Sequence, residues 1–243
     1  MGINDYHDKV QNPAKVFRRW RGGEGKLTNW DGEKDVEMKL PFKFAILEQT
    51  RRISGFAPSG TGVRFYSNEA VGYNDEIRVM RKEGDKPAEE VISGKYSDIK
   101  EKLPQGARLA VQLYIYNPEE DRIEVLTCQG ASLGAFIEYS KKNKIYENYT
   151  VITKGEQAKN GAVTFYPPEF ASGADYNNDE LEKYREAGKE VQEYLKTLTS
   201  KKVGYDDIDQ TPVNYDGEQS QEIVEEKVED KKEEPINLTD IPF

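Results

Sequence analysis

Arg108-Leu109-Ala110-Val111-Gln112-Leu113-Tyr114-Ile115-Tyr116, the turn Asn117-Pro118-Glu119-Glu120-Asp121, and Arg122-Ile123-Glu124-Val125-Leu126-Thr127 form the stretch whose reading decides the fold. Leu109, Val111, Leu113 and Ile115 fall on one side of a period-two pattern, and Arg108, Gln112, Tyr114 and Tyr116 on the other. That alternation predicts a strand with an apolar face and a polar, aromatic face. The turn residues join it to the next strand as a hairpin with a loop of about five residues. The polar, aromatic face reads either as a binding groove or as a plain solvated face.

Toward the N-terminus, Met38, Leu40, Phe42, Phe44 and Ile46 repeat the alternation, and Ile53 and Phe56 continue it past a bulge near Thr50-Arg51-Arg52. Pro58-Ser59-Gly60-Thr61-Gly62 is a turn signal before a strand at Val63–Tyr66. Further strands are expected at Ile77–Met80 and Val91–Tyr96. The first 35 residues, rich in glycine, charge and aromatics, read as an extended arm or long loop. Toward the C-terminus, Leu133, Phe136, Ile137 and Ser140 share one face of a short helix. Strands follow at Tyr149–Ile152 and Ala162–Tyr166, and Pro167-Pro168 ends them. A last helix is predicted over 179–200, with Asp179 and Glu182 as its capping box and a stripe of Leu181, Tyr184, Val191, Tyr194, Leu195 and Leu198. Short strands, turn signals and one helix between hairpins imply a mainly β chain with a few helices. The architecture expected is an OB-fold-like Greek-key β-barrel with an N-terminal arm and a C-terminal helix.

The chain carries a formal net charge of -10 over 243 residues, but the imbalance is local. Residues 203–243 hold 13 acidic and 3 basic side chains, a net of -10, so residues 1–202 balance at 32 of each. Residues 218–235 lack aromatics and are dominated by Glu, Lys and Asp. Such a segment cannot offset its ordering entropy by burial, so 201–243 is expected to be a disordered acidic tail following a core at 1–200. One cysteine, Cys128, and one histidine, His7, make an internal disulfide or a zinc site unexpected. Neither a secretory signal nor an apolar run of membrane-spanning length is visible, so a cytoplasmic protein is expected. Gly22-Gly23-Glu24-Gly25-Lys26-Leu27 departs from a phosphate loop at both ends, with Trp20 in place of the leading glycine and Leu27 in place of the hydroxyl. Asp175, Asn177, Asp179 and Glu186 have EF-hand spacing, but Glu180 stands where glycine is required. No nucleophile elbow or compact nuclease motif stands out, and neither catalysis nor a cofactor is expected.

What remains is basic residues interleaved with rings: Arg18, Arg19, Trp20, Arg21, Lys26, Trp30, Lys43, Arg51, Arg52, Phe56, Arg64 and Tyr66, joined by Arg108, Tyr114 and Tyr116 on the hairpin. Single-stranded DNA needs cations for its phosphates and flat rings for its unstacked bases, a combination indifferent to sequence. The last residues, Asp240-Ile241-Pro242-Phe243, join an aromatic ring, an α-carboxylate and a second anionic side chain behind an acidic spacer. An apolar pocket with a basic rim would receive them. This ending resembles the C-terminus of bacterial single-stranded DNA-binding proteins, although Asn237-Leu238-Thr239 replaces the more acidic residues usual there. The core is similar in layout to the OB-fold single-stranded DNA-binding proteins of tailed bacteriophages. The resemblance implies DNA protection in replication, recombination and repair, with DNA-processing enzymes recruited through the tip, in a host cytoplasm if the protein is viral. It also leaves a homo-oligomer open. The alternative is an acidic adaptor that occupies basic sites on DNA enzymes without binding DNA.

Overall fold

The computed structural model describes residues 11–30, 33–58 and 62–200, with side chains as far as Leu198. The expected disordered tail, the tip Asp240–Phe243, His7 and the middle of the turn at 58–62 lie outside the described residues. In chain order the elements begin β1 (Val16–Arg21), β2 (Lys26–Trp30), β3 (Asp35–Glu37), β4 (Phe42–Phe56), β5 (Val63–Ser67), β6 (Ile77–Glu83) and β7 (Glu89–Gly94). A helical turn α1 (Tyr96–Ile99) leads to the hairpin β8 (Ala107–Asn117) and β9 (Arg122–Gln129), and then to α2 (Ala131–Ser140). The chain continues as β10 (Asn148–Gly155), β11 (Ala158–Asn160), β12 (Val163–Phe165), β13 (Pro168–Asp175) and α3 (Asn178–Ser200).

The chain is mainly β with a C-terminal helix, as its alternation implies. Strand order is β3-β2-β1-β9-β8-β4-β5-β6-β7, with β10 added to β4 and β13 to β10. The sheet does not close into a barrel, which corrects that part of the expectation. The N-terminal arm is also corrected. β1 pairs in parallel with β9, from Val16↔Glu124 to Arg19↔Thr127, and forms a hairpin with β2. A charged stretch reads as solvated in sequence, but Arg18 is 1% exposed because Glu124 meets it inside the sheet.

β4 is 15 residues long and pairs with β8 along most of its length. Its bulge lies between Ile46 and Glu48, earlier than expected. An extra residue there shifts the period, so Phe42, Phe44 and Ile46 face inward before it while Ile53 does so after it. At its far end, Gly55 (φ +150°) and Gly106 (φ +92°) let two backbones meet. A Cβ on Gly55 would strike the Gly106 carbonyl, and one on Gly106 the Phe56 carbonyl, so only glycine fits either place. Pro168 does not end the strands but opens β13, where its missing N–H costs little.

Two apolar clusters sandwich the sheet. The inner one joins Phe44, Ile53, Leu109, Val111, Leu113, Ile115 and Leu126 to Leu133, Phe136 and Ile137 of α2. The outer one joins Tyr114, Tyr116, Ile123 and Val125 to Tyr184, Val191 and Leu195 of α3. Each side chain buried this fully contributes about 1.5–3 kcal/mol, which ties α3 to the sheet. The helix cap corrects the expected Asp179–Glu182 box. Asn177 Oδ1 accepts from the Glu180 N–H at 2.9 Å, and Glu180 Oε2 accepts from the Asn177 N–H at 2.9 Å. Asn177→Ala is therefore expected to cost about 1 kcal/mol in urea unfolding. Asp179→Ala should cost much less, and equal losses would restore the Asp179 cap. Among the described residues no helix is long and apolar enough to cross a membrane.

Candidate nucleic-acid interface

Strand alternation in β1 divides its basic cluster between two faces. Arg18 points inward, where Nη2 donates to Glu124 Oε1 at 2.7 Å, Nε bonds the other carboxylate oxygen, and the guanidinium lies 4.7 Å from the Phe42 ring centre. Burial acts to raise the Glu124 carboxyl pKa, but hydrogen bonds and charge from Arg18, with Arg122 and Asn117, hold it below its ordinary value. Trp20 also points inward, and its indole N–H donates to the Tyr166 carbonyl at 2.6 Å. A Cβ on Gly155 would come within 2.9 Å of that indole, so the end of β10 closes against it. Arg19 and Arg21 point outward and share Asp35 of β3. Lys26 reaches Glu37 at 2.8 Å, a hydrogen bond that raises its pKa and keeps it a cation.

Pairing registers extend this outer face across the sheet, because residues directly opposite in neighbouring strands point the same way. Arg19 lies opposite Thr127, Thr127 opposite Gln112, and Gln112 opposite Thr50. One step along, Gln129 faces Ala110, and Ala110 faces Arg52. Farther on, Arg108 pairs with Ser54 and Ser54 with Tyr66, while Phe56 pairs with Arg64 and Arg64 with Lys82. From β2 to β6 this face crosses seven strands, roughly 30 Å at about 4.8 Å per strand.

The face therefore brings together Arg19, Arg21, Lys26, Arg52, Arg64, Arg108, Phe56 and Tyr66, with Trp30 on the same side by alternation. Arg108 is exposed, Phe56 is 37% exposed, and Arg64 sits 5.2 Å from the centre of the largely buried Tyr66 ring. Arg18, Trp20 and Arg51 are not on it. Arg51 is buried on the inner side, donates to the Gly72 carbonyl, and lies 5.4 Å from the Tyr73 ring centre. Lys43 stands at the opposite end of β4, its Nζ 4.5 Å from the centre of the Tyr149 ring. Tyr114 and Tyr116 share the outward side of β8 but lie beneath α3, so the part of that face that bears them is neither groove nor solvated, while Arg108 at its start is exposed.

A buried polar network lies beside Tyr114 on the outer side of the sheet. Glu69 Oε2 accepts from Thr50 Oγ1 at 2.9 Å and from the Tyr114 hydroxyl at 3.0 Å. With its amide turned so that the nitrogen faces the carboxylate, Gln112 bridges Glu69 to Arg52, donating to Glu69 Oε1 at 2.7 Å and accepting from Arg52 Nη1 at 3.2 Å. Burial raises the Glu69 pKa, opposed by Arg52 and the two hydroxyl donors. Arg52 is thus held by the network, and beyond it on the same side Arg64 and Lys82 are half-buried and Arg108 is exposed.

Lys82, Thr127 and Gln129 belong to this face and were not singled out from sequence. Only the pairing of β5 with β6 places Lys82 beside Arg64, and no local pattern carries that information. Burial pushes the Cys128 thiol up to about 12, so it is held as an unreactive core residue. Among the described residues no group of three or more His, Cys, Asp or Glu is placed to hold a metal. Compared with known proteins, the chain finds no significant match to a family model, a curated protein or a solved structure.

Proposed function

We propose that this protein binds single-stranded DNA without sequence preference and recruits DNA-processing enzymes through residues 240–243. The observation that carries the reading is the outer face on which the register sets Arg64 opposite the exposed ring of Phe56, Lys82 opposite Arg64, and Arg108 across β4 from them. Cations along a sheet with an accessible ring suit a phosphate backbone with unstacked bases, and each stacked base adds about 1–3 kcal/mol. The strand plan adds support. β4, β8 and β9 run in order, α2 follows, β10 returns to β4, and β1 lies alongside β9. This neighbour order is the one an OB fold uses, with the strand in fifth place supplied from the N-terminal side of the chain and the sheet left open. Domains of that fold bind oligonucleotides on the face of their second and third strands; in this chain α3 covers much of that face, and the cluster meets β8 at Arg108.

Fluorescence titration with oligo(dT) and with duplex tests this, using Trp30 on the outer face as a probe. Binding should favour the single strand and weaken with salt, the log–log slope being about -0.7 per phosphate neutralised. A flat salt response or a preference for duplex removes the reading, and no binding at all leaves the acidic adaptor. Recruitment is tested separately by Phe243→Ala in the full chain. Losing a buried aromatic anchor costs about 2 kcal/mol, or roughly thirtyfold in affinity for bacterial exonuclease, helicase or polymerase subunits. Oligo(dT) affinity should barely move. Partner binding at wild-type strength would remove the recruitment half of the proposal.

A further inference from the structure

A cleft of about 730 Å³ opens beside α3 at the end of β4 far from Phe56, between the helix, the β4 bulge and the turn leading into β10. Ile46, Leu47, Tyr176 and Tyr184 give it apolar walls, and Arg185 and Lys189 stand on its helical side, one turn apart. Both cations are exposed, and neither has an ion pair among the described residues. The acids of the rim are engaged. Glu147 is bonded to Lys144 at 2.8 Å, and Asp175 accepts from Asn148 at 2.7 Å. The cleft therefore suits a short peptide that alternates apolar and acidic side chains.

We infer that the occupant is residues 235–243 of the same chain, Pro-Ile-Asn-Leu-Thr-Asp-Ile-Pro-Phe. Its apolar side chains, Ile236, Leu238, Ile241 and Phe243, match the walls, and Asp240 with the acidic run before it matches the cation pair. Reach agrees as well. α3 ends at Ser200, and the cleft borders it from Leu181 to Gln192, roughly 10–30 Å back at about 1.5 Å per residue. Residues 201–234 separate the helix from the peptide, and a chain of that length reaches roughly 110 Å at full extension, well beyond the distance needed. A tether long enough to span the distance makes docking intramolecular, so modest contacts suffice. Docked there, the peptide is withheld from partners without covering the basic stretch of the outer face. The inference does not depend on DNA binding.

Photocrosslinking of the full chain with p-benzoylphenylalanine in place of Phe243, without DNA, tests it. Crosslinks should map to residues 46–47, 144–148, 175–176 or 181–192. In a mixture of isotopically heavy and light protein they should join like with like. Arg185→Glu with Lys189→Glu should cut the yield at least fivefold without changing the melting temperature, because both side chains are exposed. Crosslinks to the Phe56–Arg64–Arg108 surface, crosslinks between chains, absence of crosslinks, or a yield untouched by the double substitution would each overturn it.

Discussion

Replacing Arg64, Lys82 and Arg108 together by alanine is expected to weaken oligo(dT) binding about a hundredfold near 0.1 M salt. Each cation that neutralises a phosphate of a single strand adds about 0.7 to the salt exponent, worth about fivefold at that concentration. Three together remove about 2 from the slope, so the loss should shrink as salt rises. Arg64 and Lys82 lie opposite each other on β5 and β6, Phe56 lies opposite Arg64 on β4, and Arg108 lies across β4 on β8, opposite Ser54 and two residues along from the level of Phe56. Lys100→Ala, Lys141→Ala and Lys142→Ala make the control, with the same charge change outside the sheet. That control should lose less than threefold. If both triple variants lose affinity equally, at matched melting temperatures, only net charge matters and the outer face is not the DNA path. Phe56→Ala on its own should cost about 1–3 kcal/mol with the salt slope unchanged, because it removes stacking rather than charge.

How much of this was legible depended on whether a signal was local. The β8–β9 hairpin, α2 and the stripe of α3 rest on neighbours in sequence, and their apolar positions are buried or, at Leu181, Tyr194 and Leu198, half-buried. β1 was not legible, because Arg18-Arg19-Trp20-Arg21 looks solvated until Glu124, more than a hundred residues away, is known to meet Arg18 inside. The bulge in β4 changes the parity of its inward residues, so no single alternation covers Phe42 to Ile53. The candidate site fails in sequence for the same reason. Which arginine faces out depends on strand parity, and which cations become neighbours depends on pairing. Tyr114 and Tyr116 carry a further ambiguity. A polar-looking aromatic face resembles a solvated one until α3 is placed over it, and the tyrosine hydroxyls find Glu69 and Asp121 at its edges.

Glu124→Leu should be among the most destabilising single substitutions in the core, costing about 3–5 kcal/mol, because it leaves Arg18 charged and buried without its carboxylate. Arg18→Met should cost less, since Glu124 would keep Arg122 at 2.8 Å and Asn117 at 3.2 Å. The double variant should recover most of the loss, because two apolar side chains of similar volume need no desolvation of charge. Arg122, 37% exposed, can turn to water in every variant. The carboxyl of Glu124 also sets a pH response. Its pKa is held below the ordinary value in the folded chain, so the stability it contributes is fully present above its unfolded pKa, about 4.3, and is lost as pH falls through the folded one. Glu124→Gln keeps the hydrogen-bonding shape but cannot titrate, so its unfolding free energy should vary less than that of the wild type as the pH is lowered below about 4. Urea unfolding of the four variants and the parent at neutral and acid pH separates these outcomes. If Glu124→Leu costs no more than Arg18→Met, or if the acid slope survives in Glu124→Gln, the buried pair is not what seats β1 against β9. The division of the β1 arginines between inner and outer faces would then need another cause.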